Sequence, residues 1–188
     1  MGPDTRPGSV SGLASGVTST IITDVGPERI EPDPGQESVW DYPRPPRLER
    51  TSSHLVVELG GATVAETTGA WRVLETSQPP AYYFPPADVA TELLSATTTG
   101  TFCEWKGMAS YATVTVGSHR APDAAWWYAS PTPRFAAIKD HLAFYAQAMD
   151  ACWVDDERVE ANEGAFYGGW ITAKVVGPFK GGPGTAGW

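Results

Sequence analysis

Cysteine is scarce in this chain of 188 residues. The two present, Cys103 and Cys152, allow one disulfide at most, and a cytosolic setting keeps them reduced. Histidine is scarce as well, with His54, His119 and His141 scattered singly. A structural zinc site wants four Cys or His ligands in paired spacings, so neither a metal nor a cofactor is expected. Lys and Arg number 13 against 22 Asp and Glu, a formal net charge of -9. Such a balance repels a phosphate backbone and sets nucleic acid aside as a main partner. No stretch reaches the ~20 apolar residues that cross a bilayer, and the first residues show no basic region followed by an apolar run. The expectation is therefore a cytoplasmic chain with no membrane partner. No repeat of fixed period is present, and G-x-S-x-G and H-E-x-x-H are both missing. The glycine-rich stretch Phe179 to Thr185 fails as a phosphate-binding P-loop, because Lys180 precedes its glycines instead of following them.

Glycine and proline are plentiful, at 20 and 17, and argue for turns and short elements over long helices. Residues 1–38 are Gly, Ser, Thr and Pro with little apolar periodicity and read as a disordered tail, with Ile21-Ile22 as a local docking point. Residues 39–53 form a proline-rich arm. Its Trp40 and Tyr42 read as a strap over a hydrophobic edge, with an anion-contacting arm built on its arginines as the other reading. Residues 54–160 read as one mainly β domain. Leu55, Val57 and Leu59 alternate up to a Gly60-Gly61 turn, and Ala62 to Glu66 returns as the second half of a hairpin. Further strands are expected at Ala70 to Glu75, Ala81 to Phe84, Thr101 to Trp105, Ala109 to Val116 and Ala124 to Ala129. A short helix is expected from Pro85 to Leu94, and a longer one from Pro133 to Met149. In the latter, Phe135, Ile138, Leu142, Tyr145 and Met149 recur at steps of three and four, a stripe that must lie on the sheet. Residues 161–188 alternate glycines with aromatics and read as an extension that packs onto the domain or onto a second subunit, with a strand from Trp170 to Val176.

Chemistry-bearing residues concentrate between Thr101 and Tyr128. Cys103 and Trp105 lie two apart on a strand and share a face, next to Lys106 in a turn. A thiol beside an ammonium is the pairing that nucleophilic cysteine chemistry uses, whereas a small buried hydrophobe is the plainer reading of the same residue. The expected ligand site is lined by Glu75, Tyr83, Cys103, Trp105, Lys106, Tyr111 and Trp127, with Cys103, Lys106 and Glu75 as the candidates for any catalytic role.

Five stretches in order, Arg72 to Ser77, Tyr82 to Pro85 with Asp88-Val89, Phe102 to Gly107 with Ala109-Ser110-Tyr111, Ala124 to Tyr128, and Leu142 to Tyr145, resemble the domain-of-unknown-function 427 family. The resemblance covers roughly Leu55 to Asp156. It implies a compact antiparallel sheet or open barrel, similar to the β-tent domains, with one amphipathic helix packed on it and one short helix. The family has also carried a nucleotidyltransferase label, while this chain lacks the paired carboxylates after a glycine-rich helix start that would hold two Mg²⁺ ions. The expected function is binding, or transformation, of a small molecule in the aromatic-lined pocket around Cys103 and Lys106. The alternatives are an assembly module that forms a homo-oligomer through the C-terminal extension, and a nucleotidyltransferase.

Overall fold

The computed structural model describes residues 27–164 and 166–188, together with Met1. Most of the segment expected to be disordered, Ile21-Ile22 included, lies outside the described residues. Numbered in chain order, β1 (Glu37–Ser38), β2 (Arg47–Arg50), β3 (Leu55–Leu59), β4 (Ala62–Thr67), β5 (Trp71–Leu74) and β6 (Ala81–Tyr83) open the fold. The middle is β7 (Leu94–Cys103), β8 (Gly107–Val116), β9 (His119–Trp127) and β10 (Leu142–Phe144). The last part is β11 (Ala151–Val154), β12 (Glu157–Arg158), β13 (Glu160–Ala161), β14 (Trp170–Ile171) and β15 (Val175–Val176).

The expected mainly β, antiparallel architecture is what forms. One sheet runs β10-β9-β8-β7, a second β12-β11-β3-β4, and a third β2-β5-β6. No closed barrel results among the described strands. Gly60 and Gly61 both take positive φ, 58° and 76°, which is what a two-residue hairpin loop between β3 and β4 demands. The third sheet joins the first where Phe84 and Leu142 exchange backbone hydrogen bonds of 2.7 and 3.0 Å. The only parallel pair among the described strands is β1 with β15, which ties the entry of the chain to its far end.

Alternation along β6, β8 and β9 sends neighbouring residues to opposite sides, so the sheet separates two apolar clusters. Ala112, Val114 and Ala125 join Leu55, Val57 and Val64 in the larger one. Tyr111, Trp126 and Tyr128 join Tyr83, Phe135 and Ile138 in the other. A third, small cluster of Val39, Tyr42, Leu74 and Val175 holds the arm and the last strand together. The strap reading of the arm fits this: Tyr42 is buried and Val39 fully so.

The two helices expected from the sequence do not form. Pro133–Ile138 is a 3₁₀ segment, Leu142–Phe144 is strand β10, and Ala146–Ala148 is a second 3₁₀ turn. Asp140 sits at φ 59°, a left-handed position that halts helical continuation, and Lys139 is extended. The apolar stripe is nonetheless core, since Phe135, Ile138, Leu142, Tyr145 and Met149 are all buried. Leu142, Ala143 and Phe144 are buried in succession, a pattern with a period of neither 3.6 nor 2. Likewise Pro86–Asp88 and Thr91–Leu93 are single 3₁₀ turns, and Leu94 already begins β7. The strand expected across Trp170 to Val176 divides into β14 and β15, with a turn between them. No helix among the described residues is long and apolar enough to cross a membrane.

Candidate functional site

The hairpin β7–β8 closes through a three-residue turn, Glu104 to Lys106, with Cys103 paired to Gly107. Gly107 takes φ 100°, the conformation that a short loop of this kind asks of glycine. Thr132 clamps the turn from behind: its hydroxyl donates to Trp105 O at 2.6 Å, and its backbone N–H to Lys106 O at 3.1 Å. The side chains of Trp105 and Lys106 are thereby held at the edge of a recess of about 470 Å³. That volume falls in the range of roughly 300–1,000 Å³ usual for small-molecule sites.

Six of the seven residues expected from the sequence come together here: Glu75, Tyr83, Cys103, Trp105, Lys106 and Tyr111 all line the recess. Trp127 does not. It packs against the larger core on the opposite side of β9, and its neighbours Trp126 and Tyr128 face the recess in its place. A strand has period two, so choosing among Trp126, Trp127 and Tyr128 amounts to choosing a face. The signal was available in sequence, since two aromatics two apart, Trp126 and Tyr128, outweigh the single one between them.

The walls are fixed by hydrogen bonds and ring contacts. Trp126 Nε1 donates to Tyr83 Oη at 3.2 Å, and the Trp126 and Tyr145 ring centroids are 4.5 Å apart. Tyr111 Oη and Thr101 Oγ1 share a hydrogen bond of 2.8 Å. Tyr145 Oη donates to Phe166 O at 3.2 Å and so reaches the C-terminal extension. Gly168 is needed at that crossing, because a Cβ there would collide with the Trp126 ring. Phe166, Tyr167 and Lys180 supply the far wall. The arm contributes Arg44, whose Nε lies 3.5 Å from Glu75 Oε1. Arg44 and Lys180 both donate to the backbone oxygen of Trp188, at 3.2 and 2.7 Å, and the Trp188 ring stands edge-on to Trp40 with centroids 5.8 Å apart. Sequence reasoning missed this far wall because nothing local ties residues 166–188 to the central hairpin.

Lys106 is the least matched cation in the site among the described residues. It forms no salt bridge among the described residues. Its Nζ lies 5.8 Å from the centre of the Tyr128 ring and 5.9 Å from that of Phe135, within cation–π reach. Burial works against its charge, but Tyr83, Cys103 and Glu75 together hold its pKa above the ordinary lysine value. Lys106 is thus an ammonium near neutral pH, suited to attract an anion and not to attack as an amine. Burial likewise raises the pKa of Tyr83, Tyr128 and Tyr145, which keeps the phenols neutral as hydrogen-bonding groups. Cys152 is elsewhere, in the larger core, where burial pushes its thiol up to about 12.

Residues 47–155 match the model of a family described as Domain of unknown function (DUF427), whose short label refers to nucleotide transfer. The chain belongs to this family. Among curated proteins no relative matches the chain. The matched segment carries β2 to β11 and with them the hairpin turn, Tyr83, Trp126 and Tyr128. Arg44 and the wall from Phe166 to Trp188 lie outside it.

Proposed function

We propose that this DUF427 member binds a small molecule in the recess bounded by Tyr83, Cys103, Trp105, Lys106, Trp126 and Tyr128. One observation carries the reading: an ammonium is held at the edge of an aromatic recess of about 470 Å³ without a carboxylate partner among the described residues. A bound anion would supply the charge partner that this ammonium lacks among the described residues. Aromatic walls with a few converging polar groups are the usual composition of a ligand site. The test is a thermal-shift panel of nucleotides with Mg²⁺, phosphorylated metabolites, aliphatic carboxylates and aromatic acids. A ligand at a hundred times its Kd adds ~2.7 kcal/mol, which moves the melting temperature by a few degrees. The shift is expected to vanish in Ala81→Trp, which fills the recess from β6. A panel without any shift would remove the reading.

Exposed apolar side chains at the mouth support a second reading, the assembly module. Phe102, Met108 and Phe166 are 68%, 58% and 59% exposed, and Phe102 pairs with Met108 across β7 and β8. Under that reading Phe102→Ser with Phe166→Ser lowers the oligomeric mass in solution, and an unchanged mass excludes it. Nucleotidyl transfer, the reading of the family label, requires a response to Mg²⁺ with a nucleotide in the same panel. Among the described residues the recess offers it only Glu75, engaged by Arg44, and the exposed Glu104.

A further inference from the structure

The charges around the recess restrict what it holds, granted the small-molecule reading on which this step rests. Its lining carries three cations, Arg44, Lys106 and Lys180, and two carboxylates, Glu75 and Glu104. Arg44 is already engaged by Glu75 at 3.5 Å, and Lys180 donates to the backbone oxygen of Trp188 at 2.7 Å. Lys106 is left over, the one cation of the three with neither a carboxylate nor a backbone oxygen within reach among the described residues. A phosphate monoester brings about -1.5 to -2 charges at neutral pH, and its sites gather several donors, such as an arginine fork or a row of backbone N–H groups. The ammonium of Lys106 has ring faces beside it instead, those of Tyr128 and Phe135. A carboxylate needs one cation and one or two hydroxyl donors, and the phenols of Tyr83 and Tyr128 stand at the same end of the recess. The rest of the wall is flat and aromatic: Trp105, Trp126 and Tyr145 offer ring faces and edges on which a flat body stacks.

We propose that the recess takes a monoanionic aromatic carboxylate, with the carboxylate paired to Lys106 Nζ and the ring lodged among Trp105, Trp126 and Tyr145. The acid end lies at the hairpin turn, inside the segment common to the family. The ring end points toward the wall built by the extension, so the extension selects the shape of the body while Lys106 selects its charge.

The test uses the full chain and three probes of related size in isothermal titration calorimetry: indole-3-acetate, its neutral counterpart indole-3-acetamide, and phenyl phosphate. A charge-assisted contact of this kind makes the acid bind about tenfold or more tightly than the amide. In Lys106→Met that preference is expected to fall to within about threefold, and in Lys106→Arg, which keeps the charge, to be largely retained. If Lys106→Met does not fold, Lys106→Gln serves for the same comparison. Equal binding of acid and amide by the wild type overturns the charge assignment while leaving the pocket intact. Tightest binding of phenyl phosphate overturns the carboxylate assignment in favour of a phosphate. Heat from none of the three withdraws the aromatic carboxylate, and a shift from another class in the thermal panel would then keep the pocket reading alone.

Discussion

Arg72 and Lys106 are both drawn into the fold, and they are treated in opposite ways. The Arg72 guanidinium meets Glu37 through Nη1 and Nη2 at 3.0 and 2.9 Å, and Glu49 through Nε and Nη2 at 3.0 and 2.6 Å. Tyr42 completes the group by donating to Glu37 Oε2 at 2.6 Å. Every donor direction of the fork that faces the protein is met, and the cluster ties β1 to β2 and β5. Lys106 faces rings and a recess. A cation matched by the fold's own carboxylates serves the fold, whereas one left unmatched beside a cavity is available to something from outside.

Four changes probe this contrast. Arg72→Met leaves two carboxylates side by side, and the expected loss is roughly 2–3 kcal/mol in urea unfolding. That is below the ~3–5 kcal/mol of a fully buried pair because Glu37 and Glu49 keep part of their surface in water. A loss below ~0.5 kcal/mol, the scale of an exposed pair, would erase the contrast from the structural side. Tyr42→Phe removes one hydrogen bond to a charged acceptor and is expected to cost about 1 kcal/mol by the same measurement.

Acid titration follows the same cluster. Burial works to raise the Glu37 pKa, but the hydrogen bonds from Arg72 and Tyr42 and the charges of Arg72 and Arg47 outweigh it and leave the pKa below its ordinary 4.5. A carboxylate lowered on folding adds stability above its unfolded pKa and loses it as pH falls through the folded value. Wild type should therefore lose more stability than Arg72→Met between pH 6 and pH 3, so that the two curves converge in acid. Parallel curves would show that Arg72 does not set the Glu37 pKa. The smallest effect is expected for Glu75→Gln, about 0.5 kcal/mol or less, because its single contact with Arg44 is long at 3.5 Å and Arg44 has other acceptors in Thr76 O and Ser77 Oγ.

Much of the sheet was legible in sequence, because alternation and turn chemistry are local. The Gly60-Gly61 hairpin and the β7–β8 turn with Gly107 fall where the residues ask for them. The recess was legible to the extent that Cys103, Trp105 and Lys106 share one hairpin. The helix expected over Pro133 to Met149 failed because 3₁₀ turns flanking a strand buried on both sides reproduce helical spacing by coincidence. Trp127 was misplaced by one residue of strand register, which is enough to change its face. The Arg72 cluster was invisible, since Glu37 lies 35 positions from Arg72 and local pattern says nothing about so distant a pairing. For the same reason the wall from Phe166 to Trp188 could be foreseen as aromatic but not as part of the recess.

The most direct test of the contrast needs no ligand: the urea unfolding free energy of Lys106→Met against wild type at pH 7. If the ammonium is kept for a molecule from outside, its removal changes stability by less than about 1 kcal/mol, as expected where no partner is stranded. A loss as large as that of Arg72→Met would mean that Lys106 is a structural charge like Arg72 and would contradict the account.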